Sequence, residues 1–352
     1  MLTLYLCKHR LTLNGGNRMR ILVVGGTGFL GKAAAEAAVA AQHDVTVMTR
    51  SGDNVAEGAA TLIADRDAQL PDLSGQFDAV IDTCGYAPDM VTHLARATGQ
   101  VHYVFVSSIS VYDDMSVPQF DETAHAPAAT EDDLALAAAV DPALRGTATP
   151  YGASYGRLKR ACEIAADDAF DGNCTHIRLG LIVGLHDYTE RFTWWVRRCD
   201  QDAPIIAPAP ADRNIQVIDV RDAGAFLVRM AEQRICDTFH LTGEPKTLAA
   251  MLEAIQSMTG KANSVDYLPL DVYTKAGQRH WTDLPLIVPD ASEFAQMLNV
   301  STAKAVAAGL VTRPIAETVQ SVLAWDRENR AHELSCGMSA ADEAAVRAAS
   351  SE

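Results

Sequence analysis

Along the first half of the chain, short aliphatic runs alternate with longer Ala-rich segments. Arg20–Val24 (RILVV) is such a run and ends in glycines; Lys32–Ala41 is Ala-rich and predicts a helix. Strands are expected at Asp44–Met48, Thr61–Ala64 and Ala79–Asp82, a helix at Met90–Ala97, and a buried strand at Val101–Val106 (VHYVFV). Short strands alternating with helices imply a parallel sheet covered on both faces. Asp113–Pro150 breaks the pattern: it is acidic and rich in Ala and Pro, with one helix expected at Glu131–Val140, and reads as a surface excursion. One helix is predicted over Tyr151–Ala169 and a sixth strand over Thr175–Val183. Beyond Gly184 the text is irregular, Trp-rich at 194–195 and Pro-rich at 204–210, with mixed signals to about Arg327.

These signals predict a Rossmann-type, doubly wound α/β fold with a smaller C-terminal substrate-binding lobe. The expected parts are a loose extension over 1–18, a dinucleotide-binding domain over 19–183, and a lobe over 184–330. Residues 331–352 read as an Ala-rich tail, a frayed helix. Of the 352 residues, 48% are hydrophobic and 21% charged, which is ordinary for a soluble enzyme. No apolar run reaches the ~18 residues of a membrane helix, and the N-terminus lacks the marks of a signal peptide. The net charge of −16 repels phosphate backbones and argues against nucleic acid as a partner. The seven cysteines include no CxxC pair, which suggests neither a disulfide framework nor a zinc site and fits a cytoplasmic protein. A small-molecule substrate and a homodimer are the partners expected; a membrane is not.

The glycines supply the first chemistry. Gly25, Gly28 and Gly31 fall at GxxGxxG spacing between a strand and a helix, the context that gives the motif meaning. Gly25 permits a tight turn, Gly28 lets the backbone approach a diphosphate, and Gly31 lets helix and strand pack closely. Thr27, Phe29 and Leu30 lie among them as further cofactor contacts. Helix N-terminal N–H groups favour an anion there. At the tip of the second strand (HDVTVMTRSGDN) stands Arg50, where an NAD site usually has an acid. A guanidinium forms a fork to phosphate, so the cofactor expected is NADP, with NAD as the alternative. Asp53 could still serve a ribose. Asp65, after the third strand, could meet the adenine amino group, and Gly85, after the fourth, marks a backbone passing under the cofactor.

The stretch ATPYGASYGRLKRACEIA places Tyr151, Tyr155 and Lys159 four residues apart. A phenol one helical turn before an ammonium has a positive neighbour that favours its ionised form. That suits a proton-transfer group, although Tyr and Lys also meet at this spacing by chance.

Taken together, GGTGFLG, a fifth strand ending VFVSSISVY, and YGRLK resemble the extended short-chain dehydrogenase/reductase superfamily, which includes nucleotide-sugar epimerases. The resemblance runs over Arg20–Gly243 and weakens toward Arg327, and it implies that a segment near 215–243 of the lobe returns to the sheet. It implies that Ser108 (with Ser107 the near alternative), Tyr155 and Lys159 are catalytic, and that Lys159 also binds the nicotinamide ribose. Tyr151 lacks its own Lys and is expected to line the cleft or pack beneath it. Leu179 stands where relatives often have Pro, and Thr83-Cys84-Gly85 replaces the common Ala-Ala-Gly type. Ile109-Ser110 stand where sugar-nucleotide dehydratases carry Asp-Glu, which counts against 4,6-dehydration.

For the substrate, Tyr151, Arg191, Trp194 and Arg213 are candidates. Trp194 and Trp195 could equally be lobe core, and Arg197 and Arg198 are expected to be solvated. Asp219 and Asp222 are expected to be structural. His186 and Asp187 have no third ligand at metal-site spacing. The reading favoured is an NAD(P)-dependent oxidoreductase acting on a carbonyl or alcohol of a small polar molecule. The alternatives are a nucleotide-sugar epimerase with retained cofactor and a non-catalytic dinucleotide sensor or RNA-binding relative.

Overall fold

The computed structural model describes residues 18–351, so most of the expected N-terminal extension lies outside the described residues. Its first half runs β1 (Arg20–Val24), α1 (Phe29–Ala40), β2 (Asp44–Thr49), β3 (Ala60–Ile63), β4 (Ala79–Asp82), α2 (Pro88–Thr98), β5 (His102–Ser108), α3 (Glu131–Ala139), α4 (Tyr155–Ala169) and β6 (Cys174–Leu179). The second half adds β7 (Leu181–Val183), α5 (Arg191–Cys199), β8 (Ile205–Pro208), β9 (Asn214–Ile215), β10 (Val217–Asp219), α6 (Val220–Gln233) and β11 (Thr238–Leu241). It ends with β12 (Lys246–Thr247), α7 (Leu248–Thr259), β13 (Val265–Leu268), α8 (Leu270–Lys275), α9 (Ala303–Ala307), α10 (Ile315–Glu328) and α11 (Ala340–Ala349).

A parallel sheet in the order β11-β6-β5-β4-β1-β2-β3 organises the molecule. Alternation along β1 explains its two covered faces. Ile21 and Val23 join a core with Ala34 and Ala38 of α1 and Phe226 and Leu227 of α6. Leu22 and Val24 face the other way, toward Leu94 of α2, Cys162 of α4 and Phe170 just past its end. Small residues let α1 and α6 approach: a Cβ on Gly224 would stand 2.7 Å from the Ala33 carbonyl carbon. Within the segment expected to return to the sheet, β11 pairs with β6, whereas β10 pairs with β7 outside the large sheet.

Two expected elements are divided. The helix expected from Tyr151 begins at Tyr155; residues 149–154 form a 3₁₀ segment with Gly152 at φ +48, a left-handed turn that breaks the stripe. The strand expected over 175–183 stops at Leu179, because Gly180 lies against Thr242 at a distance only glycine allows.

A separate core joins Phe192, Trp195 and Val196 of α5 to β8, α7, α8 and α10. The expected frayed tail is instead part of this lobe. A capping box between Ser339 and Asp342 starts α11. Val346 is fully buried, and Arg198, expected in solvent, pairs with Glu343. Arg197 likewise pairs with Asp326.

Two substitutions test this packing. Val346→Asp would bury an unpaired charge and should cost about 3 kcal/mol or more, lowering the unfolding midpoint; an unchanged midpoint would detach the tail from the core. Gly156→Ala would set a Cβ 1.8 Å from the Ser110 carbonyl oxygen. It should cost about 1–3 kcal/mol by overpacking α4 against the turn after β5, read from denaturant unfolding.

Candidate functional site

The carboxyl ends of the strands open into a cavity of about 1090 Å³. It runs from the β1–α1 loop, past the tips of β2 and β3, to the ends of β5 and β6 and the edge of the lobe. Gly25, Thr27, Gly28, Phe29, Leu30, Gly31, Arg50 and Asp65 all line it, as do Ser107, Ser108, Tyr155 and Lys159.

The glycine loop is shaped for a diphosphate. Gly25 has φ +79, and the Gly28 N–H closes the turn onto its carbonyl at 3.1 Å. A Cβ on Gly31 would stand 2.2 Å from the Gly25 carbonyl oxygen, whereas one on Gly28 would meet only that same oxygen, at an ordinary 3.5 Å. No side chain caps α1, which leaves its first N–H groups for an anion. This cradle fits the diphosphate of a dinucleotide.

At the β2 tip Arg50 is exposed and lines the cavity, whereas Asp53 is not part of the wall. Asp65 receives the N–H of Asp67 at 3.0 Å, a turn that sets the β3 tip. Gly85 does not line the cavity, contrary to expectation. The position of its missing Cβ is filled by Phe105 at 2.8 Å, so the chain passes below the floor and Thr83, Cys84 and Tyr86 form the surface. The Gly85 carbonyl serves another group: Lys159 Nζ donates to it at 2.7 Å and to the Val106 carbonyl at 2.8 Å. The ammonium also stands 4.5 Å from the centre of the Tyr86 ring. Burial lowers its pKa from the ordinary lysine value.

One turn before, Tyr155 lies beside Ser108. Burial pushes its phenol up to about 12, and the Ser108 hydroxyl works against that rise. Ser108 Oγ accepts from the Ser110 N–H at 3.1 Å, which leaves its O–H to donate. The phenol therefore rests protonated at neutral pH: burial prevails over the ionised form that the four-residue spacing to Lys159 predicts.

Three expected substrate residues stand elsewhere. Tyr151 is buried under Tyr86, with ring centres 5.7 Å apart, and its hydroxyl donates to the Arg145 carbonyl at 3.0 Å. Trp194 packs in the lobe core and donates Nε1–H to the Met338 carbonyl. Arg213 pairs with Asp290 and braces the carbonyls of Ala209 and Val288. Arg191 does line the cavity, its guanidinium 4.8 Å from the Trp281 ring centre.

Sequence reasoning missed several wall residues. Tyr86 underlies both Tyr155 and Lys159, and its phenol is raised strongly by burial. Arg66 forks onto the buried Asp82 through two bonds of 2.8 Å; the Tyr103 hydroxyl adds a third bond to that carboxylate at 2.6 Å. Burial works against the charge of Asp82, but Arg66 outweighs it and holds the carboxyl below its ordinary value. Asp in a strand reading AVID was the available signal. Asp187, Tyr188 and Trp281 close the substrate end. Asp187 is buried, which raises its carboxyl, and it accepts from Thr189. Residues 146–149 of the acidic excursion form the opposite wall, so this segment is more than a surface feature. Among the described residues no cluster of His, Cys, Asp and Glu could hold a metal ion, and no helix is long and apolar enough to cross a membrane.

Residues 21–102 match the model of the NAD dependent epimerase/dehydratase family, while no curated protein sequence matches the chain. Similar solved structures include the UDP-Glc/GlcNAc 4-epimerase of Campylobacter jejuni, at 15% identity and TM-score 0.59 over 88% of this chain and 99% of that one. The UDP-N-acetylglucosamine 4-epimerase of Methanobrevibacter ruminantium M1, in complex with UDP-N-acetylmuramic acid, aligns at 14% identity and TM-score 0.60, covering 89% and 99%. Bordetella bronchiseptica WbmF, in complex with NAD+, aligns at 13% and TM-score 0.57, covering 95% and 97%. Residues 21–102 thus carry the signature of the NAD dependent epimerase/dehydratase family, and the chain as a whole shares the fold of these solved structures.

Proposed function

We propose that this protein is a nicotinamide-dependent oxidoreductase, reducing or oxidising a carbon–oxygen centre of a small polar molecule. The observation that carries the reading is the convergence of Ser108, Tyr155 and Lys159 on the cavity that the glycine cradle opens into. A bound nicotinamide dinucleotide supplies or accepts the hydride. Ser108 donates a hydrogen bond to the substrate oxygen and fixes its position. Tyr155 transfers the proton at that oxygen: it rests protonated, so it gives its proton in the reducing direction and regains it from solvent. Lys159, with two N–H groups used on Gly85 and Val106, has a third for a ribose hydroxyl.

The substrate end supports a small ligand. Arg191 is the lobe's one arginine among the described residues that line the cavity; Arg197, Arg198 and Arg213 are held by Asp326, Glu343 and Asp290. One guanidinium, stacked on Trp281, suits a substrate with a single anionic or strongly polar group. A second reading, a nucleotide-sugar epimerase that retains its cofactor, is favoured by the epimerases among the similar structures. The two differ in consumption of free cofactor during turnover, so assays of ketones, alcohols and UDP-sugars with and without added NADPH or NADH separate them. The free cysteines, including the buried Cys162, Cys174 and Cys199, fit a reducing cytoplasm.

Tyr155→Phe keeps the ring and removes the proton, so turnover on an active substrate should fall ~10²–10⁴-fold with cofactor affinity little changed. Tyr151→Phe should retain most activity. Wild-type turnover by Tyr155→Phe would refute the assignment. NADP is the cofactor inferred, from Arg50 at the β2 tip and the absence of Asp53 from the wall. Arg50→Ala should weaken NADP(H) binding by about 1–3 kcal/mol and leave NAD(H) nearly unchanged. Equal losses for both, read by titration calorimetry, would remove the argument for a 2′-phosphate.

A further inference from the structure

The excursion between β5 and α4 returns to the sheet through residues 141–149 (DPALRGTAT), a pair of hydrogen-bonded turns. Leu144 N–H donates to the Asp141 carbonyl at 2.8 Å, and Thr147 N–H to the Leu144 carbonyl at 3.1 Å. Gly146, Thr147, Ala148 and Thr149 then line the dinucleotide cavity beside Arg50, Asp65 and Asp67. Gly146 faces the tip of Arg50: a Cβ there would lie 3.9 Å from its Nη2.

Arg145 holds this strap down. Its Nη1 donates to Asp67 Oδ1 at 2.8 Å, and its Nη2 donates to both oxygens of Asp89, at 2.6 and 2.7 Å. Asp67 belongs to the loop after β3 and Asp89 to the first turn of α2, so one guanidinium spans the strap, the β3 tip and α2. The Arg145 carbonyl is taken by the buried Tyr151 hydroxyl, whose ring lies on Tyr86.

We infer that residues 145–149 are a strap that Arg145 latches over the adenosine end of the cofactor, making Arg145 a positioning residue that governs how long the dinucleotide stays bound. The inference rests on the dinucleotide reading of the cavity. Entry or exit at that end requires the strap to lift, which requires the charge-assisted bonds to Asp67 and Asp89 to break. Removing the latch therefore acts on release more than on capture.

The test is stopped-flow release of NADPH or NADH from the full chain, chased with excess non-fluorescent oxidised cofactor (NADP+ or NAD+) and read by the fluorescence of the reduced nicotinamide. Arg145→Ala should release the dinucleotide about tenfold faster or more, with a smaller change in association rate. Arg145→Lys should restore part of the retention, since an ammonium can still reach one carboxylate. Asp89→Asn removes the charge from a side chain that is 67% exposed; it should fold normally, speed release to a lesser degree, and keep the test informative if Arg145→Ala unfolds. Amide hydrogen exchange at 145–149 should slow when cofactor is added. If wild type binds cofactor and both Arg145→Ala and Asp89→Asn release it at the wild-type rate, the latch is refuted while the cofactor reading stands. If wild type binds neither NADPH nor NADH, the cofactor reading falls and takes the strap with it.

Discussion

The arrangement of the site depends on one buried ammonium. Lys159 is only 2% exposed, and a charge taken out of water is costly unless its donors are satisfied. The carbonyls that satisfy it belong to Gly85, just past β4, and to Val106 in β5. Both lie at the carboxyl edge of the sheet. They therefore set the height and rotation of α4, and Tyr155, one turn earlier, has little choice but to stand by Ser108. The close contact of Gly156 with the Ser110 carbonyl fixes the same register from the other side.

The floor beneath is held by a second buried charge. Asp82 accepts from both ends of the Arg66 fork, from the Tyr103 hydroxyl and from the Cys84 N–H. A buried ion pair adds little net stability against an apolar alternative. Here it constrains the turn from Thr83 to Tyr86, whose last ring supports Lys159, Tyr155 and Tyr151 at once. A displaced Tyr86 would disturb Tyr155 and the Tyr151 hydroxyl's bond to the Arg145 carbonyl together.

What the sequence made legible is local. Strand, glycine loop and helix follow one another within β1 and α1, and the YxxxK pair fits within a single turn of α4. The misplaced residues share a different cause. Four-residue spacing places Tyr151 on the helix stripe only where the helix is unbroken, and one left-handed glycine, Gly152, sends the chain another way. Arg213 and Trp194 are candidates only by their place in the segment expected to cover the cleft, and their partners Asp290 and Met338 lie 77 and 144 residues away. The role of Gly85 depended on Phe105 filling the space beside it. The tail looked weak because its amphipathic face is narrow; the single buried Val346 and the Ser339 cap hold it nonetheless.

Charge distribution links the fold to its ligand. The chain carries a net −16, a balance that holds an anionic dinucleotide off at long range. Much of its basic charge is neutralised locally, as Arg145, Arg178, Arg197, Arg198 and Arg213 all form ion pairs. Arg50, Lys159 and Arg191 instead stand on the cavity wall, at its two ends and its middle. Lys159 is buried and Arg191 half-buried, so those two charges are less screened than the exposed Arg50. Selectivity against other anions then falls to shape, because an acidic surface repels all of them and only one that fills the length of the cavity meets every positive group.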